Sequence, residues 1–339
     1  MKSLFAPPKK GRWSGKNRFI RSATWEELAN QAGHLTERII DIYVTLAKQN
    51  VGLLITGATT VSQDDWAMPR MLGMYGDEFI GEHESLTASV HGQGADIWMQ
   101  LAFMGCNAYE SHRKREVAAM DKDEIKQVVQ DFAHAALRAQ KAGYDGVQIQ
   151  AAHGFLPGRF LSPQENERRD EYGGALENRW RLLQDIYQAV REITGTGFLV
   201  TVKINSEDFT PKGLSFAESL LVCQQLATWG VDAIQVSGNS PSRIQMKTRE
   251  KEAYFKDFAM QLADLVDIPV ILSGGLKHKE TMEEILNNSK VEYFALARPL
   301  LCEPGLISRW MSGDEGPAKC VYCNNCYNMP GHICVCNHR

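Results

Sequence analysis

The chain has 339 residues, 44% hydrophobic and 23% charged, with a net charge of -4 and an isoelectric point near 6.2. That balance excludes disordered and fibrous classes, and without a basic stripe for a phosphate backbone nucleic acid is not an expected partner. Residues 1–16 lack the continuous apolar core of a signal peptide and no window reaches the roughly 18 apolar residues of a membrane helix, so a cytoplasmic protein without a membrane partner is expected.

Taken in chain order, eight short β-rich runs alternate with segments of helical period: Asn17 to Ser22, Val51 to Thr56, Asp96 to Leu101, Gly146 to Gln150, Phe198 to Ile204, Ala233 to Val236, Pro269 to Leu272 and Val291 to Ala297. Between them, helices are predicted over about 36–49, 78–91, 122–141, 176–193, 216–229, 254–265 and 281–287. In the fourth of these Leu176, Trp180, Leu183, Ile186, Val190 and Ile193 fall on one face. Nearly continuous apolar strands alternating with helices predict a parallel sheet covered by helices. Eight repeats favour a closed (β/α)8 TIM barrel over an open doubly wound sheet, whose Gly-x-Gly-x-x-Gly turn does not follow the first strand. The barrel is assigned to residues 1–315. Residues 316–339, rich in Cys and Asn, form a short C-terminal extension.

In such a barrel the ligand site lies at the carboxyl ends of the strands. The residues there are Ser22-Ala23-Thr24, Gly57-Ala58-Thr59, Gln100, Gln150 with His153, Lys203, Ser237-Gly238, Ser273-Gly274-Gly275 and Ala297-Arg298. They contain no paired carboxylates, no metal triad and no serine with an obvious base. Instead they suit a flat, phosphorylated ligand. Ser273-Gly274-Gly275 lets backbone N–H groups approach phosphate oxygens, Arg298 adds a fixed charge, and Gln100 offers a donor and an acceptor to a pyrimidine-like edge. Lys203, ending an apolar strand, calls for an anion: either a ligand, or Glu207 or Asp208 in the following loop. A Schiff-base role for Lys203, as in an aldolase, is a further option on position alone.

These motifs carry a resemblance to the Old Yellow Enzyme / NADH:flavin oxidoreductase family. The matching segments include Asn17-Arg18-Phe19-Ile20-Arg21-Ser22-Ala23-Thr24, His153-Gly154-Phe155-Leu156 through Phe160-Leu161-Ser162-Pro163, Asp170-Glu171-Tyr172-Gly173-Gly174, Glu177-Asn178-Arg179 and Ala297-Arg298-Pro299-Leu300, in family order across about 17–310. The resemblance implies an FMN cofactor, NADH or NADPH as co-substrate, and an electron-poor small-molecule substrate such as an enone. It implies that Ser22, Ala23, Thr24, Ala58 and Gln100 line the flavin and that Lys203 sits by flavin N1 and O2. Ser273, Gly274, Gly275, Ala297 and Arg298 would hold the phosphate. The stretch 153–179 is expected to form a long loop closing over the flavin.

Two residues depart from the family pattern. The carbonyl-polarising pair is Gln150 and His153 rather than two histidines or a histidine and an asparagine, and the usual tyrosine proton donor is Phe155. The proton must then come from water, His153, Tyr109 or Tyr172, or the reaction needs none, as in reduction of quinones, nitro compounds or dioxygen. Trp25 also departs, where some relatives have a small residue beside the flavin. The tail's Cys320, Cys323, Cys326, Cys334 and Cys336 resemble the iron–sulfur segment of the 2,4-dienoyl-CoA reductase group, but with two residues between the second and third cysteines instead of three. Cys320, Cys323, Cys326 and Cys334 are candidate ligands for a [4Fe-4S] cluster or zinc, with uncoordinated thiols as the alternative. A cluster there would open an electron-transfer role toward a partner protein. Homo-oligomerisation is left open.

Overall fold

The computed structural model describes residues 1–8, 11–105, 115–238 and 251–335. In order the elements are β1 (Phe19–Arg21), α1 (Glu37–Lys48), β2 (Leu53–Ile55), β3 (Thr59–Thr60), β4 (Leu72–Gly73), α2 (Ile80–His91), β5 (Asp96–Ala102), α3 (Lys122–Lys141), β6 (Gly146–Ala151), α4 (Leu156–Leu161), α5 (Leu176–Arg179) and α6 (Arg181–Thr194). They continue with β7 (Leu199–Asn205), α7 (Phe216–Trp229), β8 (Ile234–Ser237), α8 (Lys256–Leu265), β9 (Val270–Ser273), α9 (Lys279–Asn288), β10 (Tyr293–Leu296), α10 (Arg298–Cys302) and α11 (Leu306–Met311). All strand pairings are parallel. β1 pairs with both β10 and β2, and β2 pairs with β5, which closes an eight-stranded barrel and leaves β3 and β4 as a short rim beside β5. Among the described residues no helix is long and apolar enough to cross a membrane.

Local sequence explains where the helices start and stop. Asp121 caps α3 by accepting from the backbone N–H groups of Asp123 and Glu124, while Glu124 accepts from Asp121 N at 2.8 Å. Such a box contributes about 1 kcal/mol. Ser215 and Glu218 repeat it on α7, which ends at Gly230 in the left-handed region. On α6, Leu183, Ile186 and Val190 are buried, as the periodicity predicts, whereas Ile193 is only half-buried at the fraying end.

Strand alternation divides the core in two. Outward residues such as Val147, Ile149, Val200 and Val202 pack beneath the helices. Inward residues Ile20, Leu53, Ile55, Trp98, Leu199, Ala233, Ile271, Tyr293 and Ala295 fill the amino-terminal half of the barrel. Trp13 plugs that end: its ring stacks 4.5 Å from Tyr293, meets Trp98 edge-on at 4.9 Å, and its Nε1 donates to Asp96 Oδ2 at 2.7 Å. One step toward the carboxyl ends the inward positions turn polar. That change of chemistry makes the site.

The stretch 153–179 differs from the expected long loop. Leu156–Leu161 forms helix α4 with Pro157 in its first turn, a position that tolerates proline because the missing N–H would be unpaired there anyway. The rest is pinned by buried side chains. Asn166 Nδ2 donates to Phe160 O at 2.8 Å and Tyr172 O at 2.7 Å, and Arg159 Nη1 donates to Met104 O at 3.1 Å. The specific motifs of this segment therefore hold the rim.

Candidate active site

A cavity of about 330 Å³ opens at the carboxyl end of the barrel. Every sequence-predicted cofactor or catalytic residue reaches it: Ser22, Ala23, Thr24, Ala58, Gln100, Gln150, His153, Lys203, Ser273, Gly274, Gly275, Ala297 and Arg298. Of the stretch 153–179, only His153 and Phe155 do so. The covering is done by the tail instead, through Tyr322, Cys326, Tyr327 and His332. The tail is moored by Ala318 N donating to Lys277 O at 3.0 Å, and by the Tyr322 hydroxyl donating to Leu276 O at 3.0 Å.

At one end lies a glycine cradle. Gly274 and Gly275 follow β9 with φ of +94° and +68°. A Cβ at Gly274 would stand 2.5 Å from the Tyr254 ring. Only glycine meets both conditions, and the result is consecutive backbone N–H groups without side chains over them. Arg298 lies beside the cradle, over the Tyr322 ring at 4.6 Å, with Nη2 donating to Tyr254 Oη at 3.3 Å.

At the other end Lys203 is 4% exposed, and its Nζ reaches Ser22 Oγ at 3.5 Å. Among the described residues it pairs with no carboxylate, neither Glu207 nor Asp208; the latter accepts from Asn205 Nδ2 at 3.1 Å and Leu214 N at 2.8 Å. Burial, with Arg21 nearby, holds the ammonium down to about 8. A buried cation without a counter-charge, facing a cavity, is the mark of a site made for an anionic group.

Between these ends stand Gln150 and His153. Gln150 Nε2 lies 3.5 Å from His153 Nδ1, and His153 Nε2 lies 2.8 Å from Ser237 Oγ. Burial and the Lys203 charge push the imidazole well below its usual range, so it is neutral. With Gln150 donating to Nδ1, the ring proton sits on Nε2 and faces Ser237. His153 takes φ of +58°, a costly conformation for a non-glycine residue that its N–H bond to Asn205 Oδ1 at 3.2 Å helps to hold. Phe155 packs with Ala58, Met71 and Ala102, and with Trp25, Met68 and Met104, as an apolar wall. Trp25 is fixed by donating Nε1 to Pro69 O at 3.0 Å and by the His332 ring at 4.4 Å. Of the proton donors considered, Tyr172 lies off the cavity with its hydroxyl on Asp185 Oδ2 at 2.9 Å, and Tyr109 lies outside the described residues.

Sequence reading missed the tail residues and Tyr254 and Phe255. The sequence pattern places the latter pair in a helix over 254–265, but α8 starts at Lys256 and Ala253 makes a left-handed turn that sends both rings to the cavity. It also missed Cys302 of α10, which packs with Cys320, Tyr322 and Cys334. Cys320, Cys323, Cys326 and Cys334 do line one small cavity of about 20 Å³. Among the described residues, however, no group of three or more His, Cys, Asp or Glu side chains could hold a metal ion, and Cys336 lies outside them. The donor chemistry suits a thiophilic metal; the sulfurs are not gathered into a ligand set.

A (β/α)8 barrel that brings a glycine cradle, an arginine, a buried lysine without a carboxylate partner among the described residues and a run of amides to one cavity has the make-up of a flavin-dependent oxidoreductase. The sequence profile of the NADH:flavin oxidoreductase / NADH oxidase family matches residues 3–315, and the chain belongs to that family. It is 31% identical to an NADPH dehydrogenase of Bacillus subtilis over 317 positions, covering 89% of this chain and 92% of that one. An NADH oxidase of Thermoanaerobacter brockii is 27% identical over 346 positions, covering 95% of this chain but 53% of its own length, so the chain spans about half of that relative. Among solved structures, the Old Yellow Enzyme homologue from Zymomonas mobilis superposes with a TM-score of 0.78 at 25% identity, covering 92% and 93% of the two chains.

Proposed function

We propose that the protein is an FMN-dependent NAD(P)H oxidoreductase whose acceptor is an electron-poor small molecule, an activated alkene such as an enone. The observation that carries this reading is Lys203, a buried cation with no carboxylate partner among the described residues, in the same cavity as the Gly274-Gly275 cradle and Arg298. FMN, when bound, would supply two-electron hydride chemistry between a reduced nicotinamide and the acceptor. The chain's residues do the rest. Gly274, Gly275 and Arg298 bind the phosphate. Lys203 and Gln100 orient the polar ring edge, and the Lys203 charge favours negative charge developing there. Gln150 and neutral His153 donate hydrogen bonds to an acceptor carbonyl, His153 by exchanging Ser237 for it. Trp25, Met68, Met104 and Phe155 exclude water from the apolar side.

One observation favours a second acceptor class. Phe155 is buried in the apolar wall and Tyr172 is held off the cavity by Asp185, so neither protonates a substrate carbon. Quinones or nitro compounds, whose products take protons from water, suit that arrangement. The test is the visible spectrum of the purified protein before and after anaerobic addition of NADH or NADPH, followed by turnover on enones and quinones in parallel. Flavin absorbance that neither nicotinamide bleaches sinks the proposal; quinone turnover without enone turnover selects the second class.

For the tail, holding iron–sulfur or zinc would require Cys320, Cys323, Cys326 and Cys334 to draw together into a ligand set that they do not form among the described residues. What favours that rearrangement is that all four already line one small cavity, and that Cys326 and Arg298 border both this cavity and the main one. Iron, zinc and acid-labile sulfide analysis of freshly purified protein decides it, and a protein free of both metals removes the metal role and the electron-transfer alternative together.

A further inference from the structure

Beneath the cavity the barrel interior is crossed by amides. Gln148 on β6 and Gln235 on β8 are fully buried, at 0% exposure, and neither touches the cavity. They are linked head to tail: Gln100 Nε2 donates to Gln148 Oε1 at 2.7 Å, Gln148 Nε2 to Gln235 Oε1 at 3.0 Å, and Gln235 Nε2 to Ser22 Oγ at 2.8 Å. A glutamine oxygen only accepts and its NH2 only donates, so turning Gln148 alone sets like against like at both its ends, and turning Gln235 alone does so at Gln148, whereas the Ser22 hydroxyl takes either end. The sense of the run is set from outside it: Ala152 N donates to Gln150 Oε1 at 3.3 Å, which turns Gln150 Nε2 toward Gln100 Oε1, and the run ends at two cavity residues.

Each end leaves something for a ligand. Ser22 Oγ accepts from Gln235 and, at 3.5 Å, from Lys203, so its own proton must be given away, and among the described residues nothing receives it. Gln100 gives one N–H of its amide to Gln148, while among the described residues its Oε1 meets Gln150 Nε2 alone, at a long 3.4 Å. Facing the cavity are thus an acceptor at Gln100 and donors at Ser22 and Lys203. An imide edge, an N–H flanked by carbonyl oxygens, calls for one acceptor and two donors, the kinds of group these residues supply.

We propose that Gln148 and Gln235 are positioning residues for the pyrimidine edge of the flavin: the ladder fixes which atoms Gln100 and Ser22 present to it. The inference rests on the FMN reading above. Gln148→Met and Gln235→Met keep bulk but break the ladder, and Gln148→Glu, nearly the same shape, still accepts from Gln100 but cannot donate onward. The measurement is titration of deflavinated protein with FMN and with N3-methyl-FMN, which lacks the imide proton, alongside thermal unfolding. Wild-type protein is expected to favour FMN by about tenfold or more, the value of a buried polar group left without its partner. Each variant should raise the FMN Kd about tenfold and shrink that preference. Variants that unfold at lower temperature but keep the wild-type FMN to N3-methyl-FMN ratio overturn the proposal, because packing alone would then explain the ladder. If the Met variants do not fold, the ratio in Gln148→Glu decides. Wild-type protein that binds neither compound defeats the FMN reading itself, a distinct result from wild-type binding with unchanged variants.

Discussion

The two halves of the barrel interior obey opposite rules. Near the amino-terminal ends, Trp13, Trp98, Tyr293 and their aliphatic neighbours exclude water and satisfy one another by contact. Near the carboxyl ends the same strands point amides, hydroxyls and a lysine inward, linked by hydrogen bonds and incomplete by themselves. One half stabilises the fold; the other spends stability on recognition, as functional sites commonly do. Substitutions should therefore have opposite signs in the two halves.

The largest effect is expected in the lower half. Trp98→Ala should cost about 3–5 kcal/mol in urea unfolding, from lost burial plus a cavity under Trp13 that the closed barrel cannot collapse. Among the described residues its Nε1 has no hydrogen-bond partner, so Trp98→Phe should cost much less. In the upper half, Lys203→Met should stabilise the ligand-free protein by an amount on the order of 3 kcal/mol while abolishing tight FMN binding, since it removes a charge that burial holds down to about 8. A destabilised Lys203→Met would mean that the ammonium has a compensating partner after all, and the contrast between the halves would fail.

The same lysine gives a pH test of sign. Because its folded pKa lies at about 8, below its ordinary 10.5, the unfolded chain binds the extra proton between those values. The charge cost is complete below pH 8 and is shed as pH rises toward 10.5, so this group's contribution makes the ligand-free protein more stable across that window. FMN affinity should run the other way and weaken above pH 8 as the cation is lost. Titrations at pH 7 and 9 check it, with Lys203→Met as the flat control.

Much of this was legible in the sequence, for physical reasons. Parallel barrel strands are buried on both faces, so most of the eight appear as largely apolar runs between amphipathic helices, and most residues at their ends line the cavity. What could not be read depends on closure and docking. Gln148 and Gln235 sit in apolar strands, and only the closed ring shows that they face each other across the interior. Pro157 and Gly158 read as loop, yet a proline in the first turn starts α4. The tail's composition marks it as different but does not say that Tyr322 and His332 will roof the site. The cysteine spacing suggested a ligand set that the described residues do not assemble.

A smaller effect is expected at the phosphate end. Arg298→Lys keeps the charge but loses the planar guanidinium that lies over Tyr322 and donates to Tyr254, and it shortens the reach to the cradle. The backbone donors of Gly274 and Gly275 remain, so FMN should bind about tenfold more weakly while riboflavin, which has no phosphate, binds unchanged. Equal weakening of both ligands would show that Arg298 shapes the ring site, not the phosphate site.

The smallest effect tests the wall. Phe155→Tyr adds one hydroxyl to a side chain packed against Ala58, Met71 and Ala102, where it has no partner unless it turns toward the cavity. If the cavity-facing rotamer is taken, the hydroxyl can pass a proton to a substrate carbon, and turnover of enones should rise several-fold, within the roughly 10²–10⁴ that a positioned acid can supply. Quinone turnover should stay level, because its protons come from water. Stability should fall by about 1 kcal/mol if the hydroxyl is buried unpaired and hardly at all if it faces the cavity. The two readings should move together: a stable variant with faster enone turnover places the missing acid in the polar half, while a destabilised variant with unchanged turnover shows that Phe155 belongs to the packed half of the barrel's division.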